Sequence, residues 1–181
     1  VISGLTPNTK YYYRMRYHIP AESDWVVRDE HSFWTQRASG STFVFTVTSD
    51  PHGSAFPQAG TNIVNDHPDF HLDIGDTFYS GGSTSQSAVN TKYLTFRGSS
   101  YFGPIGLSTP IFISAGNHED EEGWNLDDTP FSIGVANIQA RKAYFPTPIQ
   151  DGFYTGNMDP LAAIDETTYG DEYREDYYAW E

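Results

Sequence analysis

Thr42-Phe43-Val44-Phe45-Thr46-Val47-Thr48, followed at once by Ser49-Asp50-Pro51-His52-Gly53, decides how the rest of the chain is read. A run of β-branched and aromatic residues that stops at a Pro/Gly cluster reads as a buried strand ending in a turn. The same grammar returns twice. Phe70-His71-Leu72-Asp73-Ile74 runs into Gly75-Asp76, and Pro110-Ile111-Phe112-Ile113-Ser114-Ala115 runs into Gly116-Asn117-His118-Glu119. Between the last two, Val89, Tyr93 and Phe96 fall at i, i+4 and i+7, which predicts a helix over 86–96. A weaker helical pattern covers 58–67. Strand, helix, strand, helix, strand implies crossovers and a mainly parallel sheet, so the fold class is α/β.

Each of the three strands ends in a metal-capable residue beside a glycine. In parallel α/β sheets, ligands bind outside the carboxyl ends of the strands. Asp50, His52, Asp76, Asn117 and His118 are therefore expected to converge, with Gly53, Gly75 and Gly116 permitting close backbone approach. A carboxylate has two oxygens and a negative charge, so it bridges two cations. Imidazole and amide oxygen suit terminal positions. This mixture of N and O ligands fits Mn, Fe, Zn or Ni better than an all-oxygen calcium site. Two cations about 3.5–4 Å apart generate a nucleophile and neutralise phosphoryl oxygens.

Ser49-Asp50-x-His52, Gly75-Asp76 and Gly116-Asn117-His118-Glu119 resemble, in order and placement, the first three signature blocks of the calcineurin-like metallophosphoesterases. The resemblance covers 42–119 and implies an αββα sandwich, present here in part, acting on a phosphomonoester or phosphodiester with two divalent or trivalent metal ions. It also implies roles. Asp50 and His52 would bind the first metal, Asp76 would bridge both, and Asn117 would bind the second. His118 would donate a proton to the leaving oxygen or stabilise phosphoryl charge. Glu119 would orient a neighbouring ligand. Asp73 faces away from Leu72 and Ile74, as a carboxylate supporting the ligands or as a satisfied polar group, the latter being favoured. His67 and His71 are expected at the surface. Gly75-Asp76-x-x-Tyr79 resembles the purple acid phosphatase branch, in which that tyrosine binds iron. That branch usually lacks a histidine at the place of His52, so Tyr79 is expected to be a loop aromatic.

The family supplies further histidines downstream, including a Gly-His-x-His block. All six histidines here lie at or before His118. The chain is therefore expected to be a fragment of a longer hydrolase, weakly active or inactive alone.

Residues 1–37 read differently. Tyr11, Tyr13, Met15 and Tyr17 alternate with Tyr12, Arg14 and Arg16, a half-buried strand pattern, and Trp25-Val26-Val27 and Ser32-Phe33-Trp34-Thr35 are two further strand candidates. Leu5-x-Pro7-x-Thr9-x-Tyr11-x-Tyr13, ending near Phe33-x-Thr35, resembles the last strands of a fibronectin type III domain, a partial β-sandwich. Residues 38–41 read as a linker and 42–181 as the hydrolase part. Within that part, 134–144 is a candidate helix with Ala136, Ala140 and Ala143 on one side. The Gly-, Pro- and Tyr-rich remainder of 120–181 reads as a cap over the site or as elements whose partners lie elsewhere.

Composition narrows the options. Ten Lys and Arg against 24 Asp and Glu give a net charge of −14, which repels polyanions, so nucleic-acid binding through a basic surface is not expected. Bound cations would still let an acidic chain hold phosphate. The absence of cysteine excludes disulfides, iron–sulfur clusters and cysteine zinc sites. No apolar run approaches the ~20 residues of a membrane span. The acidic runs at 120–122 and 171–172 lack a calcium loop's spacing. The expected compartment is extracytoplasmic, secreted or periplasmic. The rival reading is an extracellular binding or adhesion module with a degenerate, non-catalytic metal site.

Overall fold

The structure is a computed structural model and describes residues 2–20, 23–50, 55–119 and 132–145. The chain is mixed α/β, with a two-stranded antiparallel sheet preceding a three-stranded parallel one.

Strands β1 (Lys10–His18) and β2 (Trp25–Trp34) form the antiparallel pair. The sequence suggested two short strands separated by the polar stretch 28–31; instead β2 is continuous. Arg14 pairs with Glu30 across the ladder, and one extra residue of β2 is absorbed between Arg14 and Arg16 as a bulge. Tyr11 stacks on its partner Phe33, and Tyr13 packs on His31, so one face of the hairpin is aromatic. Tyr13 also donates its hydroxyl to the carbonyl of Leu107 at 2.9 Å, which ties the hairpin to the α/β body.

The body contains β3 (Phe45–Thr48), α1 (Phe56–Asp66), β4 (Phe70–Asp73), α2 (Gln86–Thr95), α3 (Phe102–Gly106), β5 (Ile111–Ile113) and α4 (Ile133–Tyr144). The strands lie in the order β3-β4-β5, all parallel, with Thr48 beside Asp73 and Asp73 beside Ile113. α1 starts with a proline in its first turn, where no intrahelical N–H is needed, and stops at His67 in the left-handed conformation (φ 48°). Ser85 caps α2 by accepting the amide of Ala88. α2 ends at Thr95, and a π-turn over Phe96–Ser100, kinked at Gly98, leads to α3.

Helices and sheet enclose a core built on Phe56, Phe78, Val89, Tyr93, Tyr101, Phe102 and Ile105. Phe78 and Tyr93 stack at 3.8 Å between centroids. α4 packs on α2, burying Ile133, Ala136, Asn137 and Ala140. Ala136 and Ala140 of the alanine row that the sequence suggested are buried, whereas Ala143 is exposed and the buried face also takes in Asn137.

The strand run at 42–48 is not buried on both sides among the described residues. Phe45 and Val47 are about half exposed, whereas Thr46 and Thr48 point the other way into a polar layer beneath the helices. His71 belongs to that layer and is fully buried, which corrects its expected surface position. It lies two residues before Asp73 and so shares its face of the strand. His67 is exposed.

Candidate functional site

The loops after the three parallel strands meet. Asp50 lies just past β3 and donates its amide to the carbonyl of Gly75. Gly75, with φ 100°, touches the loop after β5, where a Cβ would overlap the backbone of Gly116. A Cβ on Gly116 would in turn overlap the Asp76 carboxylate. These two glycines let the chain ends come together. Asp50, Asp76 and Tyr79 all adopt positive φ (56°, 58° and 43°), an uncommon conformation for such residues and one that re-aims their side chains.

Asp76 Oδ1 accepts the amide of His118 at 2.8 Å, joining the second block to the third. Tyr79 joins the first block to the third. Its hydroxyl donates to Oδ1 of Asp50 at 2.5 Å, and its ring stacks on the His118 imidazole at 4.4 Å between centroids. Burial raises the Tyr79 phenol above the ordinary tyrosine value, and the Asp50 carboxylate raises it further. Tyr79 is thus part of the cluster, not a bystander of its loop.

Glu119 holds this arrangement from beneath. It is 3% exposed and accepts four backbone N–H groups, from Asp76, Thr77 and Phe78 of one loop and Gly116 of the other, at 2.6–2.8 Å. A carboxylate is suited to this because it presents about four lone-pair sites.

Asp73 anchors the same loop from the sheet side. It accepts from the Thr77 hydroxyl and from the Gly75 amide, with Thr48 also donating to it. Burial pushes its carboxyl up to about 7; Glu119 adds to the rise, and hydrogen bonds from Thr77 and Gly75 oppose it. His71 bonds Thr46 and Thr48 through its two ring nitrogens, and burial lowers it to about 4. Tyr101 completes the layer through Thr48 and His71, its phenol raised by burial and by Asp73.

The structure therefore brings together Asp50, Asp76 and His118, adds Tyr79, and places Glu119 and Asp73 as buried supports. Asn117 is exposed on the turn between Gly116 and His118. His52 lies outside the described residues, as do the acidic runs and most of the expected cap. Among the described residues, no three or more His, Cys, Asp or Glu side chains form a metal-holding group. What the described strand ends assemble is two carboxylates, a phenol and an imidazole.

Sequence reasoning missed the scale of the buried polar layer. Its only signal was the polar set Thr46, Thr48, His71 and Asp73 at period two within apolar strands. No family model matches the chain, and neither a curated protein nor a solved structure matches it.

Proposed function

We propose that the chain is part of a metal-dependent phosphoester hydrolase, with a dinuclear site at the carboxyl ends of β3, β4 and β5. The carrying observation is the bridge formed by Tyr79, which reaches Asp50 through its hydroxyl and His118 through its ring while Asp76 holds the His118 amide. Three strand ends are thereby tied into one oxygen-rich cluster, which is the placement that such a reaction requires.

The donor set fits hard or borderline cations. Asp50, Asp76 and the Tyr79 phenol would supply oxygen; Asn117 would add an amide oxygen, and by the resemblance His52 an imidazole. Bound metals would supply a nucleophile and neutralise phosphoryl charge. His118 would face a leaving oxygen, and the stacked Tyr79 ring supports its ring plane. Glu119 and Asp73 hold the Asp76 loop, so that the ligands need not reorganise when charge develops.

The finer fold proposed is a partial αββα sandwich behind a fibronectin-like segment. The latter gains support from Tyr11, whose hydroxyl accepts the amide of Thr6 a few residues upstream at 2.9 Å, as a sandwich-corner tyrosine does. No described helix is long and apolar enough to cross a membrane.

The test is Asp76→Asn, assayed on a chromogenic phosphoester with manganese. A fall in turnover of at least a hundredfold is expected. Unchanged turnover removes the proposal and leaves the binding-module reading.

A further inference from the structure

A concavity lies at the end of the parallel sheet opposite the candidate site, where the hairpin meets the α/β body. It encloses about 510 Å³. Lys10 and Ser32 line it from the hairpin, Arg37 from the stretch just after β2, and His67, Ser108 and Thr109 from the body. His67 precedes β4 and Thr109 precedes β5, so the cleft sits at the amino ends of strands whose carboxyl ends carry the candidate site.

The charge of this cleft runs against that of the chain. Asp and Glu outnumber Lys and Arg by 24 to 10, yet no Asp or Glu is among the residues lining it. Arg37 is held in place before any ligand arrives. Its Nε donates to Asp69 at 2.6 Å, and its guanidinium lies 4.2 Å over the Trp34 ring. Asp69 itself lines an adjoining cavity that shares Trp34 and Arg37 with this one, so it offsets part of the Arg37 charge. Lys10 is exposed on the hairpin directly opposite Trp34 in the ladder, and His67 is exposed at the end of α1. Arg37, Lys10 (its ammonium resting 5.4 Å over the Tyr12 ring), an imidazole and three hydroxyls line a space of ligand size. Arginine and lysine with hydroxyl donors are the groups that recognise a tetrahedral oxyanion.

We propose that this cleft binds an oxyanion of the phosphate class, seated between the hairpin and the α/β body. The inference does not depend on the hydrolase reading, because none of these residues belongs to the Asp76 cluster.

The experiment is a titration of the 181-residue chain with inorganic phosphate, at constant ionic strength and with a chelator present to silence metal-bound phosphate. Amide resonances of Ser32, Ser108 and Thr109 are followed. Saturable one-site shifts at these positions are expected. Lys10→Ala and His67→Asn should each weaken binding by about tenfold, the worth of one charge-assisted hydrogen bond. Both residues are exposed, and asparagine tolerates the left-handed backbone of His67. Lys92→Ala, on α2, should leave the affinity unchanged. Shifts that fail to saturate, that an equal ionic strength of chloride reproduces, or that persist at full affinity in both cleft variants would overturn the proposal.

Discussion

Tyr79 donates its phenolic hydroxyl to the carboxylate of Asp50, 29 residues earlier in the chain, at 2.5 Å. The two residues belong to loops after different strands, so this contact measures how closely β3 and β4 deliver their ends to one place. A metal at Asp50 would sit within reach of the phenol oxygen and would displace its proton. Tyr79→Phe keeps the ring over His118 and removes only the oxygen. It should weaken metal binding by about tenfold, the scale of a lost ligand or its immediate support, in calorimetric titration with manganese. Unchanged affinity would leave Tyr79 as a packing residue.

Glu119→Gln should destabilise the fold by about 3 kcal/mol, read by urea denaturation. The substitution is nearly isosteric, but it turns one acceptor oxygen into an NH₂ facing two of the backbone N–H groups that Glu119 accepts. A loss below about 1 kcal/mol would mean that the two amides facing the new NH₂ find water instead.

Two buried groups set opposing pH dependences. Asp73 rises to about 7 from 3.8, so between those values the unfolded chain has lost a proton that the native state keeps, and stability falls as pH rises. His71 drops to about 4 from 6.5, so across that window the unfolded chain holds a proton that the native state lacks, and stability rises with pH. The two contributions largely cancel between pH 4 and 6.5. Relative to wild type, Asp73→Asn should make stability climb more steeply with pH over this range, and His71→Gln should make it decline. Denaturation midpoints at half-unit pH steps check both signs.

Gly75→Ala should be far more damaging than Gly82→Ala, although both glycines have positive φ. At Gly82 nothing lies within 4 Å of an added Cβ, so the cost is the left-handed backbone alone, about 1–2 kcal/mol. At Gly75 the Cβ would overlap Gly116, so the two loops must part. Thermal melts of both variants provide the comparison, and equal losses would contradict the close approach.

The period-two strands and the 3.6-period row Val89, Tyr93 and Phe96 were legible in the sequence because local patterning dictates them. The continuity of β2 was not, because it depends on Arg14 lying opposite Glu30 and on a bulge that only the paired strand reveals. In the site, Asp50, Asp76 and His118 were legible from strand-end placement. The contacts of Tyr79 with Asp50 and His118 were not, because they go with positive φ at three separate residues, a property of the folded loops. The burial of His71 was hidden because one histidine reads as polar until Tyr101 and Thr48 are seen to partner it.

The most direct test of the shared cation site is paramagnetic broadening of amide resonances by substoichiometric manganese. A chain of net charge −14 attracts cations everywhere, so position is the informative quantity. Resonances of Asp50, Asp76, Tyr79 and His118 should vanish together and first, and Asp76→Asn should abolish the effect. Broadening spread over the acidic surface, or reaching exposed Asp29 and Glu30 before the strand ends, would contradict the account.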